Sequence, residues 1–265
     1  FNRWDAGQRL ATMVIQQGLE SLQQGQSPSE PTLLLESFAA ILRLGHSDLS
    51  FLSQLLTLPS EGYLSAHFQP ISPNQLREVL WGLYDALSDQ LHVIWKQKYD
   101  EIAQPPAENL TTEAVGKRRF RNLCLSYLGR NEKTLGEELA FQQFEQSQNM
   151  TEAVGALNVL THRSGPLRSQ ALGSFYQRWQ EDALVLDKWF RIQAASRREN
   201  VLDDVENLMK HEKFSYHTPN RVRALVGGFS QGNFLRFHHE NGKGYQWLAF
   251  QIQALDNTNP QVAAR

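Results

Sequence analysis

Apolar residues recur along the chain at the spacing of helical turns, and this periodicity is the sequence feature that most limits its fold. Gly45 is expected to end a helix whose apolar face consists of Leu33, Leu34, Phe38, Ile41 and Leu42. Alternation of apolar and polar residues, which indicates β-strands, is absent over any useful length. The sequence therefore predicts an all-α protein.

The predicted helices are mostly short and closely spaced. Ser47 is expected to cap a helix that stops at Pro59, and a longer apolar stripe predicts a helix from Pro73 to Gln104. The connections are short and carry glycine, proline, serine or asparagine, as is usual between antiparallel helices. Further helices are predicted over residues 112–128, 134–148, 151–162, 166–181, 183–195, 199–211, 219–228 and 244–256.

The number and length of these helices favour a layered array over a four-helix bundle. About eleven short helices are expected, none of them dominates, and the sequence has no repeat of fixed period. The predicted architecture is an irregular HEAT-like two-layer α-superhelical array, an arch, with residues 1–265 forming a single α-helical domain. Its concave side is the expected binding surface.

Charge and cysteine content exclude several classes of function. The 26 basic and 28 acidic residues give a net charge of −2, which lacks the basic excess of a nucleic-acid-binding protein. The single cysteine excludes an internal disulfide framework and fits a reducing compartment. No apolar run approaches the length of about 20 residues that a membrane helix needs. We therefore expect no nucleic-acid partner, no membrane partner and a cytoplasmic location.

The sequence offers no persuasive metal site or nucleophile. The segment from His211 to His217 begins His-Glu, but its histidine spacing does not fit the His-Glu-x-x-His pattern of zinc hydrolases. His238 and His239 are adjacent and point to different helix faces. Cys124 follows helical apolar spacing and is interpreted as a buried structural thiol. A Gly-x-Ser-x-Gly elbow is also absent, so neither a nucleophile nor a metal site can be argued from these residues.

Basic residues are the more informative polar feature. The runs at 117–121 and 191–198 are interpreted as solvated helix faces. Arg221 and Arg223 differ, because they follow a Thr-Pro-Asn helix start and precede an apolar run. Two positions apart on a helix they point in different directions, so one is expected to face solvent and the other a neighbour or a cavity.

Five short segments together resemble a known family. In chain order they are Phe-Asn-Arg-Trp-Asp at 1–5, Met-Thr-Glu-Ala at 150–153, Leu-Asp-Lys-Trp-Phe at 186–190, Pro-Asn-Arg-Val-Arg at 219–223 and Asn-Pro-Gln-Val-Ala at 259–263. From end to end the chain resembles the C-terminal α-helical domain of bacterial aminopeptidase N, a zinc metallopeptidase of the gluzincin class. The first residue is not methionine, and a helix opening at Asn259-Pro260 has only about five residues after it, less than two turns. We therefore expect a fragment that lacks the preceding catalytic domain and the final helices.

The resemblance carries specific expectations about function. In the family the zinc-binding motif and the Gly-x-Met-Glu-Asn motif belong to the preceding catalytic domain, and both are absent here. The resemblance implies that the parent polypeptide is a zinc aminopeptidase. It also implies that this domain carries no catalytic residue, no metal ligand and no cofactor, and is inactive alone. Its partners are the preceding catalytic domain and peptide substrates, whose access it limits by closing the cavity over the active site. By resemblance, Arg223, Gln261 and Arg265 face that cavity. The alternative is a free-standing HEAT-like scaffold that binds proteins.

Overall fold

The structure, a computed structural model, describes residues 2–68, 70–102, 110–130 and 135–264. Within these ranges every regular element is an α-helix, so the predicted all-α class is confirmed. None of the described helices combines the length and the apolar character that crossing a bilayer requires. The chain divides into two compact units, an N-terminal unit of residues 1–160 and a C-terminal unit of residues 161–265.

The helices have the following bounds. The described part of the N-terminal unit contains α1 (Asn2–Gln23), α2 (Thr32–Leu44), α3 (Leu49–Leu55), α4 (Glu61–His67), α5 (Pro73–Gln90), α6 (His92–Glu101), α7 (Thr112–Leu128), α8 (Gly136–Gln146) and α9 (Met150–Thr161). The described part of the C-terminal unit contains α10 (Pro166–Trp179), α11 (Ala183–Ala194), α12 (Val201–Met209), α13 (Pro219–Ser230), α14 (Phe234–Phe237), α15 (Lys243–Asp256) and α16 (Pro260–Ala263).

The long helix predicted from Pro73 to Gln104 is divided in the structure. α5 ends at Gln90, α6 begins at His92, and Leu91 between them has non-helical dihedral angles (φ −106°, ψ 10°). The indole N–H of Trp95 donates to the main-chain carbonyl of Leu87 (3.1 Å). In an unbroken helix, this carbonyl would accept the N–H of Leu91 instead. The buried tryptophan thus satisfies the carbonyl that the break exposes, and the apolar stripe continues across it.

Helix starts are fixed by side-chain caps, although one differs from the prediction. Asp48, and not Ser47, caps α3, because its carboxylate accepts the N–H of Phe51 (3.0 Å). Asn259 caps α16 as predicted, accepting the N–H of Val262 (3.2 Å), with Pro260 in the first helical position.

The core of the N-terminal unit is organised around Tyr127 on α7. Its ring stacks on Trp95 with centroids 4.3 Å apart and meets Phe38 edge-on, while its hydroxyl donates to the carbonyl of Leu56 (3.0 Å). Ser88 of α5 donates in turn to the carbonyl of Tyr127 (2.7 Å). Tyr127 therefore connects α2, α6 and the end of α3. Its buried hydroxyl and its main-chain carbonyl are both hydrogen-bonded.

The C-terminal unit is organised around α11 and α13. The two helices run in the same direction, because Asp187 pairs with Arg221 near their starts and Ala194 lies against Gly228 near their ends. A Cβ atom added at Gly228 would lie 3.2 Å from that of Ala194, so glycine permits the close approach. The amide of buried Asn233 donates to the carbonyl of Ala194 (3.0 Å) and so satisfies the end of α11.

Candidate functional site

The start of α13 carries the two arginines singled out in the sequence. Pro219 is in the first helical turn, where its missing N–H costs nothing, and it fixes the direction in which the following residues leave the loop. Arg221 is buried and Arg223 is exposed. The prediction that one arginine faces a neighbour and the other faces solvent is therefore confirmed.

Arg221 is held by three interactions within the C-terminal unit. Its Nε–H donates to the Asp187 carboxylate (2.5 Å), an Nη–H donates to the main-chain carbonyl of Lys213, and its guanidinium lies 4.9 Å from the ring centroid of Phe190. The residue is 5% exposed. This contact joins two of the segments that carry the resemblance, those at 186–190 and 219–223, and it fixes α13 against α11 and the loop before it.

Arg223 presents its guanidinium to solvent from the first turns of α13. Its described hydrogen bond joins Nη1 to the side-chain oxygen of Asn220 (3.0 Å), which leaves further N–H groups for a ligand. The planar guanidinium suits bidentate pairing with a carboxylate. Because Arg221 anchors the same helical turn, Arg223 projects from a fixed backbone.

The other two predicted site residues lie at the end of the chain. Gln261 is exposed in the short helix α16, which packs on α15. No hydrogen bond joins the side chains of Gln261 and Arg223, both of which are described. Arg265 lies outside the described residues. The role of all three in a substrate cavity stays a prediction.

The other basic runs are less solvated than predicted. Arg118 is 3% exposed, and Arg121 lies 4.0 Å from the ring centroid of Tyr99 and donates to its main-chain carbonyl (3.2 Å). Arg198 donates to Asp204 on α12 at 2.6 Å. The long apolar stems of arginines can fill space between helices, and here the guanidinium groups of Arg121 and Arg198 have acceptors.

The candidate metal ligands and the cysteine have structural surroundings. Cys124 is fully buried, and burial raises the pKa of its thiol strongly. His211 packs edge-on against the rings of Tyr176 and Trp189, and burial lowers its pKa. Within the described ranges, no group of three or more histidine, cysteine, aspartate and glutamate side chains could hold a metal ion.

Comparison with known proteins places the whole chain in a family. A family model described as "Domain of unknown function (DUF3458_C) ARM repeats" matches residues 1–265, and its repeat class agrees with the predicted α-superhelical array. Aminopeptidase N of Escherichia coli is 35% identical over 269 residues, and that of Haemophilus influenzae is 33% identical over 265 residues. Both alignments cover all of this chain and 30% of the relative.

A solved structure extends the similarity to three dimensions. The crystal structure of Legionella pneumophila aminopeptidase A in complex with aspartic acid superposes with a TM-score of 0.86 at 28% sequence identity. The match covers the whole of this chain and 31% of the other. The chain thus spans about a third of the proteins that it matches. It belongs to the DUF3458_C family of ARM-repeat domains and matches the C-terminal part of aminopeptidase N.

Proposed function

We propose that the chain is the non-catalytic C-terminal domain of a zinc aminopeptidase that removes amino-terminal residues from peptides. The observation that carries the proposal is the match to aminopeptidase N over the full length of the chain at 35% identity. In this role the domain closes the substrate cavity over the active site and limits the size of the peptides that enter. The zinc and the catalytic residues belong to the preceding domain of the same polypeptide, which is a cytoplasmic enzyme.

Arg223 is the residue of this domain that we assign to substrate binding. A peptide bound by its amino terminus at the active site extends an anionic carboxylate into the cavity, and a solvent-facing guanidinium can pair with it. The burial of Arg221 two residues earlier supports the assignment, because it gives Arg223 a rigid base. Gln261 and Arg265 are assigned to the same cavity, as hydrogen-bond donors to the trailing part of the peptide.

This role predicts an effect on binding more than on chemistry. In the full-length enzyme, Arg223→Ala should raise KM for di- and tripeptides by about tenfold, the equivalent of about 1.4 kcal/mol, while kcat changes little. Hydrolysis of alanine anilide should be unaffected, because that substrate has no carboxylate.

A matched control separates this contact from a general loss of positive charge. Arg178 is an exposed arginine on α10, and Arg178→Ala should leave KM unchanged for both substrates. Arg223→Lys should retain part of the affinity, because it keeps the charge and loses the bidentate geometry. An unchanged KM for di- and tripeptides in Arg223→Ala would refute the assignment.

A further inference from the structure

The N-terminal unit contains a cavity between α1, α5 and the loop that leads into α2. We call it the α1–α5 cavity. Its volume is about 550 Å³, and small-molecule sites in proteins occupy about 300–1,000 Å³. None of the residues assigned to peptide binding lines it. The α1–α5 cavity is therefore large enough for a small organic ligand that the proposed function does not include.

Small residues on α5 leave this space open. α1 and α5 approach closely at Gly18, where an added Cβ would lie 2.7 Å from Cγ1 of Val79. About one turn further along α5, a Cβ added at Gly82 would project into open space, and Ala86 lines the cavity after another turn. The two helices therefore touch at Gly18, and the volume beside Gly82 and Ala86 stays unfilled.

The remaining wall of the cavity is a loop of fixed conformation. Residues 28–33 line the cavity, with prolines at positions 28 and 31. The N–H of Thr32 donates to the main-chain carbonyl of Glu30 (2.9 Å), and the side-chain amide of Gln90 on α5 donates to the Glu30 carboxylate (2.5 Å). Because the prolines restrict the backbone and these hydrogen bonds hold it, the cavity is formed before a ligand enters.

Apolar side chains form most of the cavity wall. Val79 and Leu83 of α5 line it and are buried, whereas Met13 of α1 is 57% exposed and Leu33 of α2 is 61% exposed. Contact between water and such side chains is unfavourable, and a ligand with an apolar body would displace that water. The wall therefore favours a ligand that is mainly apolar.

The charged groups that line the cavity are carboxylates. They belong to Glu30 and Glu78, both of them exposed, and among the described residues no lysine, arginine or histidine lines the cavity. Within the same part of the chain Glu78 forms no ion pair, since the adjacent Arg77 lies over the ring of Trp81, 5.9 Å from its centroid. The charge complementary to this cavity is therefore positive.

We propose that the α1–α5 cavity binds a small amphiphilic amine. The apolar body of the ligand packs between α1 and α5, and its ammonium group pairs with the carboxylates of Glu30 and Glu78. Glu78 contributes more to this pairing, because Glu30 already accepts a hydrogen bond from Gln90. The inference is independent of the proposed function, in which Arg223 of the C-terminal unit recognises an anion.

Methyl NMR of the full-length polypeptide, labelled at its methionine methyl groups, tests the proposal without measuring activity. The Met13 signal is identified by its loss in Met13→Leu. At pH 7, n-octylammonium should shift this signal with a Kd below about 1 mM. The uncharged n-octanol should bind about threefold more weakly, and octanoate more weakly still, because the two carboxylates repel it. An unmoved Met13 signal, or equal Kd values for n-octylammonium and n-octanol, would overturn the proposal.

Filling the cavity tests where the ligand binds. Gly82→Leu should weaken n-octylammonium binding by at least about tenfold, because its side chain would occupy the cavity, and it should fold normally, because its Cβ meets open space. Gly173→Leu on α10 is the matched control, since a Cβ at this exposed glycine also meets open space, and it should leave the Kd unchanged. Equal Kd values in these two variants would contradict the proposal.

Removing one carboxylate tests the preference for a cation. Glu78→Gln keeps the shape of the side chain and should remove most of the preference for n-octylammonium over n-octanol, while n-octanol binds as before. Glu36→Gln is the control, because Glu36 is exposed on α2 and does not line the cavity, and it should keep the full preference. An undiminished preference in Glu78→Gln would refute the assignment of the ammonium group.

Discussion

Loss of the Arg221 guanidinium should strongly destabilise the C-terminal unit. Arg221→Met retains much of the apolar stem and removes the guanidinium, which ends the ion pair with Asp187, the hydrogen bond to the carbonyl of Lys213 and the contact with Phe190. The Asp187 carboxylate then stays in place without its partner, in surroundings where its side chain is only 17% exposed.

The expected cost follows from this burial. Removing one partner of a buried ion pair destabilises proteins by about 3–5 kcal/mol, because the remaining charge is desolvated without compensation. We expect the lower end, about 3 kcal/mol, since Asp187 keeps some contact with water. Arg223→Met is the matched control, because it removes an exposed arginine from the same helix and should change stability by less than about 0.5 kcal/mol.

Equilibrium unfolding in urea measures both variants. Arg221→Met should lower the unfolding midpoint by about 1 M or more, and Arg223→Met should leave it almost unchanged. Arg221→Met combined with Asp187→Leu should recover at least about 1 kcal/mol of the loss, because no unpaired carboxylate remains. Equal midpoints for the two single variants would refute the reasoning, since they would mean that the pair adds nothing beyond a surface charge.

Three further predictions concern single positions. Cys124 should not react with a thiol reagent at pH 8 in the native chain, because burial raises its pKa, and it should react fully in guanidinium chloride. Gly136→Ala should destabilise the folded chain by at least about 1 kcal/mol, because the added Cβ would lie 2.1 Å from the carbonyl oxygen of Leu128. Gly173→Ala, on the open face of α10, should instead stabilise it by up to about 1 kcal/mol. Thermal unfolding of the two variants measures the difference. Burial lowers the pKa of His211, so the native state binds fewer protons than the unfolded state, and stability should fall as the pH drops below about 6.5. His211→Gln should show a smaller fall between pH 7.5 and 5, and an identical pH profile would contradict this.

Apolar spacing predicted the helical class well because it reports burial on one face of each helix. It performed less well where the packed face is not apolar or where the helix is short. The buried face of α1 includes Thr12 and Gly18, which an apolar stripe does not count, and this helix was not assigned from spacing. α4 and α14 have seven and four residues, too few to establish a period of 3.6.

The break at Leu91 illustrates a different limit. The apolar stripe passes through it without interruption, and the sequence has neither glycine nor proline at that point. At the break, the indole of Trp95 donates to the carbonyl of Leu87, a side-chain contact that apolar spacing does not encode. Sequence reasoning therefore predicts one helix where the structure has two.

Part of the candidate site could be predicted from spacing and part could not. The two-residue separation of Arg221 and Arg223 predicts that they diverge, and the structure identifies Arg221 as the buried one. Sequence alone could not make that choice, since the partner Asp187 lies 34 positions earlier on another helix. A groove of about 1280 Å³ on the N-terminal unit, lined by residues of α1, α3, α4 and α7, was also not anticipated.

The most direct test of the central claim compares zinc content and hydrolysis of alanine anilide for this chain alone and for the full-length polypeptide. The full-length polypeptide should contain about one zinc per molecule and hydrolyse the anilide, while this chain alone should hold no stoichiometric zinc and show no turnover. Stoichiometric zinc in this chain, with turnover that a chelating inhibitor stops, would contradict the account, because its own residues would then form the catalytic site.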